Sequence, residues 1–293
     1  MLRHPVDVLF VPSHTFPAFV PKKAVITIHD VAFRHFKELY KPFDYWLLNR
    51  STKKAVKKAW HIIVPSEATK KDLVELYKCD PRKIVVIPHG APDVPRLLNW
   101  SDGKKKRLLE RLGLKRDDLF VAYVGRLEAK KNLVRLIEGF SRFVKEFPDW
   151  KLVLAGKRGN GFDDIESKIG ELGLKEQVVM PGYVTEEEKQ FLLSGCRMVA
   201  LPSLYEGFGL PVLEGFAFRR PVLTSNVSSM PEVAGGAAHL VNPLKPEEIG
   251  VGMKRLASDG FYVNRLIGKG AAQLEKFSWE KAAKQTYEVL FQD

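Results

Sequence analysis

The 293-residue chain is 45% hydrophobic and 28% charged, an ordinary globular balance whose length favours two domains over one. No apolar run approaches the roughly 18 residues that cross a bilayer, and the opening MLRHPVDVLFVPSH is broken by Pro12 and lacks the small-residue cleavage site of a secretory leader. Cys79 and Cys196 lie far apart without metal-ligand spacing, which argues against a zinc site or disulfide framework and fits a reducing, cytoplasmic setting. The net charge is +12, of which residues 1–97 carry +8, a surface that favours anionic partners such as nucleic acid, acidic lipid headgroups or a phosphorylated substrate.

In chain order, the first apolar, β-branched runs are VDVLFV (6–11) and AVITI (24–28), both expected as buried strands. The second leads into His29 and Asp30, an imidazole and a carboxylate able to touch a sugar or acceptor hydroxyl, although a lone histidine is more often structural. STKKAVKKAW (51–60) reads as the solvated face of a helix. With Trp46, Leu47, Leu48 and Trp60 beside its lysines it also fits peripheral contact with anionic lipid at the inner membrane face, better than it fits nucleic acid. The strands HIIV (61–64) and IVVI (84–87) enclose the helical pattern EATKKDLVELY (67–77). Between Ile87 and Phe120 the pattern lapses into proline, glycine and charge, and a domain boundary is expected there near residue 97, dividing 1–97 from 98–276.

Beyond it, LFVAYV (119–124), KLVLA (151–155), QVVM (177–180), MVAL (198–201) and PVLT (221–224) read as strands, with helical patterns at 132–147 and 185–195 among them. Strand then helix, repeated, predicts an α/β fold with doubly wound parallel sheets. Gly125, Gly156, Gly182, Ser203 and Ser225 follow these strands, at the carboxyl ends where such sheets bind ligands. Each alone can be a tight turn, whereas five together indicate a cleft. The amphipathic FSWEKAAKQTYEVLF (277–291), with Ser278 as its N-cap, is expected to pack back on the first domain, so that 277–293 belongs to it.

Two constellations can carry chemistry. In LYEGFGLPVLEG (204–215), Gly207 and Gly209 disfavour a continuous helix and Pro211 tolerates only a first turn, so a helix is expected to start near Leu210. Glycines admit close approach of a ligand, and a helix N-terminus attracts phosphate. Glu206 would then face the cleft from the loop, and Glu214 would accept hydrogen bonds from sugar or ribose hydroxyls. The plain alternative is a loop carboxylate and an exposed helix glutamate, against which the apolar LPVLEGFAF around Glu214 argues. In YVGRLEAKKNLVRLIEGF (123–140), Gly125 and Arg126 follow a strand, and Lys130, Lys131 and Asn132 precede a helix. Their cations can neutralise a diphosphate leaving group, while Lys130 alone reads as a surface charge.

Together these residues resemble the retaining glycosyltransferases of the GT-B fold, specifically the large GT4 group. The likeness runs along nearly the whole chain: the E-x7-E motif is met by Glu206 and Glu214, the Gly-Arg and Lys-Asn elements by Gly125, Arg126, Lys131 and Asn132, and the strand-end His-Asp by His29 and Asp30. The resemblance implies two Rossmann-like domains, with a nucleotide diphosphate sugar bound mainly to the second. It places Arg126 and Lys131 on the diphosphate, Glu214 on the ribose and Glu206 near the sugar, and makes His29, Glu206, Arg126 and Lys131 the catalytic set. It also implies that the backbone at Gly207, Phe208, Gly209 and Leu210 completes the phosphate and sugar site beside Gly125. Lys157, Tyr183 and Val184 would border the base, and His29 would meet the sugar from the first domain. Members of the group generally use no metal, and no Asp-x-Asp motif stands in a suitable loop here, so neither metal nor cofactor is expected. Likeness to the mannosyltransferase branch favours a hexose, mannose from GDP-mannose ahead of glucose from UDP-glucose, delivered to a glycan, lipid-linked or small-molecule hydroxyl.

The chain departs from that group in beginning at VDVLFVPSH, before which members usually have a strand, a glycine-rich loop and a helix. Roughly 70 residues of a domain of the usual size are expected to be absent. The first domain therefore reads as truncated, and an open sheet edge makes self- or hetero-association an expectation. The alternative to an active transferase is a nucleotide-sugar-binding protein that is catalytically impaired or depends on a partner. A smaller departure is His89 in IPHG, where the group more often has asparagine.

Overall fold

The computed structural model describes residues 6–93 and 100–291; the expected boundary near residue 97 lies outside the described residues. The chain divides into two compact units, one of Met1–Gly90 with Tyr205–Gly209 and Phe277–Asp293, the other of Ala91–Leu204 with Leu210–Lys276.

The first unit holds β1 (Val8–Val11), β2 (Lys23–Thr27), α1 (Ala32–His35), α2 (Pro42–Lys58), β3 (His61–Val64), α3 (Glu67–Tyr77) and β4 (Ile84–Val86). Its sheet runs β1-β2-β3-β4, with every neighbouring pair parallel. Successive side chains of a strand point to opposite faces, and the sequence is apolar on both. Ala24, Ile26, Ile28, Ile62 and Val64 share a core with Phe33 of α1, Ala55 of α2 and Leu73 of α3. Val25, Ile63 and Ile87 belong to a second cluster and need a cover of their own. Helix α3 begins where Ser66 supplies its N-cap, its Oγ accepting the amide of Thr69 at 3.1 Å.

The second unit continues with α4 (Asp102–Leu112), β5 (Leu119–Val124), α5 (Leu133–Phe143), β6 (Trp150–Ala155), α6 (Phe162–Glu171), β7 (Val178–Gly182) and α7 (Glu186–Gly195). After these come β8 (Met198–Leu201), α8 (Leu210–Ala217), β9 (Val222–Ser225), α9 (Met230–Ala234), β10 (His239–Val241), α10 (Pro246–Ser258) and α11 (Gly260–Leu274). Its parallel sheet is ordered β10-β9-β8-β5-β6-β7. The chain winds outward from β5 in one direction, returns to β8 and winds outward in the other, so a topological switch point falls between β5 and β8. Val121, Ala122, Leu152, Val153, Leu154, Ala200, Val222 and Leu223 are all fully buried, as a sheet covered on both faces requires.

Three features differ from the sequence expectations. The charged segment after Ile87 contains α4, whose apolar side is narrow: only Leu108 and Leu112 are buried, and Gly113 ends the helix in the left-handed region. The helical pattern from 132 begins at Leu133, because Asn132 is itself left-handed with φ of 62°. The sixth strand, β10, is three residues long, too short to show a period.

The chain then returns to the first unit with α12 (Trp279–Phe291). Ser278 Oγ accepts the amide of Lys281 at 3.3 Å at its start. Val289, with Ala282 and Leu290, packs on Val25, Ile63 and Ile87, the second face of the first sheet. Val289→Ala is therefore expected to lower unfolding stability by about 1–2 kcal/mol, read from urea denaturation. Tyr287→Ala on the exposed side of the same helix should stay within about 0.5 kcal/mol of the parent. Equal losses would show that α12 does not cover that face.

Candidate active site

The loop leaving β5, which borders the switch point on one side, has its backbone in contact with the loop leaving its other neighbour, β6. A Cβ added to Gly156 would lie 1.7 Å from the carbonyl oxygen of Gly125, and one added to Gly125 would lie 2.9 Å from the Tyr123 hydroxyl. Only glycine permits that approach. The ladder continues past the strand ends, Gly125 donating to Ala155 at 2.9 Å and Gly156 to Gly182 at 2.8 Å. Tyr123 Oη donates to the Arg126 carbonyl at 2.7 Å, which fixes the backbone where the arginine emerges.

Above these glycines lies a cavity of about 330 Å³ lined by Val124, Gly125, Arg126, Ala155, Gly156, Lys157, Tyr183 and Val184. Arg126 is exposed, and its guanidinium takes no hydrogen bond or ion pair among the described residues. Lys157 Nζ stands 4.8 Å from the centre of the Tyr183 ring, a cation–π contact. Tyr183 is 59% exposed, while Val184 is buried. Arg111 of α4 donates to the carbonyls of Pro181 (3.0 Å) and Tyr183 (3.1 Å), so the charged helix holds the far wall of the cavity.

Lys131 and Asn132 form the turn before α5. Asn132 is only 3% exposed, and its Nδ2 donates to the carbonyls of Pro202 (2.9 Å) and Pro243 (2.6 Å) while Oδ1 accepts from Arg135 at 3.1 Å. One side chain thus ties together the loops that follow β5, β8 and β10. The amide of Leu204 donates to Lys130 at 2.9 Å, closing the β5 and β8 loops on each other. Glu214, on α8, is held by Lys189 of α7 at 2.7 Å. Neither Lys131 nor Glu214 lines the cavity, and Leu210 opens α8 with its side chain partly exposed.

Residues 205–209, which carry Glu206, belong to the first unit. Tyr205 Oη donates to Asp72 of α3 at 2.6 Å, and His35 Nε2 approaches the same carboxylate at 3.2 Å. Burial, and then the Asp72 charge, push the Tyr205 hydroxyl far above the usual phenol range, so it remains a donor. The Gly207 carbonyl accepts from Ser66 Oγ at 2.7 Å and Thr69 Oγ1 at 3.3 Å. A Cβ on Gly207 would fall 2.1 Å from the His29 carbonyl. Phe208 sets its ring edge-on to His89 and Phe277. Glu206, in the middle of this pinned segment, is 9% exposed.

Three imidazoles cluster at the carboxyl ends of the first sheet. His29 Nε2 lies 3.1 Å from the Pro12 carbonyl and, because a carbonyl only accepts, donates to it. His14 Nε2 donates to the Asp30 carbonyl at 2.8 Å in the same way, and Asp30 Oδ1 accepts the Ala32 amide at 2.9 Å. His89 stacks on Trp279 and lies 5.5 Å from the His29 ring. Burial, and then the neighbouring His29, push its pKa down to about 4.

Sequence reasoning did not find His14, Asp72 or the anchoring role of Tyr205. His14 follows a strand by three residues as ordinary loop polarity, and the Tyr205–Asp72 contact joins positions 133 apart. Tyr205 does stand next to Glu206, and that adjacency is the one available signal.

Two outcomes follow for stability. Asn132→Ala leaves two buried carbonyls without a donor and puts a Cβ-bearing residue without its polar group in the left-handed region, so a loss of about 2–4 kcal/mol is expected in urea unfolding; a loss below about 0.5 kcal/mol would contradict the knot. Between pH 6.5, the ordinary histidine value, and about 4, the unfolded chain binds a proton at His89 that the folded chain refuses. Stability from this group is therefore complete above pH 6.5 and falls as pH drops through that window, by on the order of 1 kcal/mol after solvent screening. His89→Asn should flatten the acid slope of the thermal midpoint relative to the parent.

Residues 104–273 match the family described as glycosyl transferases group 1, and residues 1–93 match glycosyltransferase family 4. Among curated relatives, the O-antigen chain mannosyltransferase B of Escherichia coli is 28% identical over 269 residues, 90% of this chain and 69% of that protein. An uncharacterized glycosyltransferase of Methanocaldococcus jannaschii is 29% identical over 234 residues, 78% of this chain and 59% of that one. The chain thus spans about two thirds or less of the lengths of these relatives. Among solved structures, Anabaena Alr3699/HepE in complex with UDP and glucose superposes with a TM-score of 0.77 at 20% identity, covering 92% of this chain and 72% of that one. This last likeness is one of fold, and the two Rossmann-like units are those of GT-B. With the group 1 match spanning more than half of its length, the chain belongs to the glycosyl transferases of group 1.

Proposed function

We propose that the chain is a retaining hexosyltransferase that moves a sugar from a nucleotide diphosphate donor to an acceptor hydroxyl. The observation that carries this reading is the cavity at the carboxyl ends of β5, β6 and β7, beside the switch point, where Arg126, Lys157, Tyr183 and Val184 surround two touching glycine backbones. Doubly wound sheets take nucleotides at such a place, and about 330 Å³ lies within the range of small-molecule sites. In this reading the base lies against Tyr183 and Val184 with Lys157 at its edge, and Arg126 and Lys131 face the diphosphate. The amides opening α8 at Gly209 and Leu210 add donors to a phosphate oxygen. Glu214, its carboxylate steadied by Lys189, accepts from the ribose hydroxyls.

The acceptor oxygen attacks the anomeric carbon on the face from which the diphosphate departs. The bond from that carbon to the phosphate oxygen breaks with its electron pair on the phosphate, and the acceptor proton passes to that oxygen, so configuration is retained. The negative charge that grows on the phosphate is what Arg126 and Lys131 stabilise. Since these two cations supply the positive charge, we expect no metal and no further cofactor. GDP-mannose is the favoured donor, supported by the mannosyltransferase relative; the UDP and glucose of the structural neighbour mark the competitor. The acceptor class is a glycan, lipid-linked or small-molecule hydroxyl, and two buried free thiols support a cytoplasmic setting.

Arg126→Ala and Lys131→Ala are each expected to lower turnover roughly 100- to 1,000-fold, measured as nucleoside diphosphate release in the presence of acceptor. Tyr183→Ala should act mainly on donor KM. Unchanged turnover and donor affinity in both cation variants would overturn the assignment. Calorimetric donor binding without transfer across an acceptor panel would instead favour a nucleotide-sugar-binding protein that depends on a partner.

A further inference from the structure

Helix α2 presents two different sides. Ser51, Thr52 and Ala55 are buried, and Tyr45 and Leu48 pack on the first-unit core, with the Tyr45 ring edge-on to Phe33. On the other side Phe43, Trp46, Leu47, Arg50, Lys53 and Lys57 recur every three or four residues and are all exposed, which places them on one stripe. Phe43 is 67% and Trp46 53% exposed, and their rings stack at 6.0 Å. Arg50 lies over Trp46 at 5.5 Å, so the aromatic half of the stripe runs directly into the cationic half. Lys54 Nζ donates to the Ala18 carbonyl at 2.6 Å, bringing the loop that carries Phe19, 71% exposed, beside the lysines. Asp44 is the single acidic residue of the helix.

Scattered exposed apolar residues need no explanation, but four large ones gathered beside four cations do. We propose that the exposed face of α2, extended by Phe19, is a docking surface for an anionic phospholipid bilayer. Two physical matches select a membrane over other polyanions. The cations lie where the headgroup layer would hold its phosphates, and Phe43, Trp46, Leu47 and Phe19 project beside them, where an interfacial helix buries its apolar side chains at the boundary with the acyl chains. A nucleic acid would satisfy the cations and leave Leu47 and most of the aromatic surface in water. The proposal uses no residue of the proposed donor site, so it stands or falls separately from the reading given above.

Co-sedimentation of the full chain with phosphatidylcholine vesicles, with and without phosphatidylglycerol, tests it. Binding is expected only with the anionic lipid and should weaken as salt rises. Lys53→Gln with Lys57→Gln removes two charges and should lower partitioning roughly 30-fold. Phe43→Ser with Trp46→Ser should lower it at least about tenfold; both pairs are solvent-facing, and an unchanged thermal midpoint checks that they fold. No sedimentation with anionic vesicles, equal sedimentation with neutral ones, or parent-like partitioning of both variants would overturn the proposal. Binding to a single-stranded RNA oligonucleotide under salt conditions in which vesicles are not bound would overturn it in favour of nucleic acid. Concentration-dependent self-association abolished by Phe43→Ser with Trp46→Ser would assign the surface to a second copy of the chain.

Discussion

The carboxyl edge of the second sheet depends on how Asn132 satisfies its amide. The residue sits in the left-handed region, which asparagine tolerates better than most side chains, and it is buried where an unmade hydrogen bond is costly. Both requirements are met together, since Nδ2 reaches the carbonyls of Pro202 and Pro243 while Oδ1 takes Arg135. The loops that leave β5, β8 and β10 are thereby held by one group rather than by three separate turns. Lys131 is the residue immediately before the knot and Arg126 lies five residues earlier in the same loop. The placement of the two cations is thus set by a residue that need not touch a ligand itself.

The glycine contact supplies what the knot cannot. Parallel strands end in carbonyl and amide groups that must find partners, and here Gly125 and Gly156 pass them across the sheet to β6 and β7. A side chain at either position would fill the floor of the cavity or push the two loops apart. The result is a shallow polar floor with an aromatic wall at Tyr183, a cationic rim at Arg126 and Lys157, and a rear wall held by Arg111 from α4. In the first unit the same economy operates through α3, whose N-cap Ser66 and inward-facing Asp72 fix Gly207 and Tyr205 on either side of Glu206.

Much of this was legible in the sequence because apolar runs and motif spacing are local properties. The two-faced strands of both sheets, the helix opening at Leu210 and the grouping of Gly125, Arg126, Lys157, Tyr183 and Val184 all follow from residues read within short windows or from family motifs. The rest was hidden for physical reasons. Helix α4 turns few leucines inward, so its charge masked its period, and β10, only three residues long, is too short to show one. The Asn132 amide reaches across 70 and 111 residues, and the Tyr205 hydroxyl across 133. No window of sequence contains both partners, although each residue is itself part of, or next to, a motif that can be read. The exposed aromatic half of α2 falls between these cases: its residues are visible in the sequence, but only the burial of Ser51, Thr52 and Ala55 shows which way the stripe faces.

The most direct measurement of the central claim, that the cavity at the carboxyl ends of β5, β6 and β7 is a nucleotide site, is a crystal structure of the chain with GDP or UDP bound. The expected result is a base against Tyr183 and Val184, with phosphates beside Arg126 and the amides that open α8. Nucleotide bound away from that cavity, or in it with the phosphates directed away from Arg126, would contradict it.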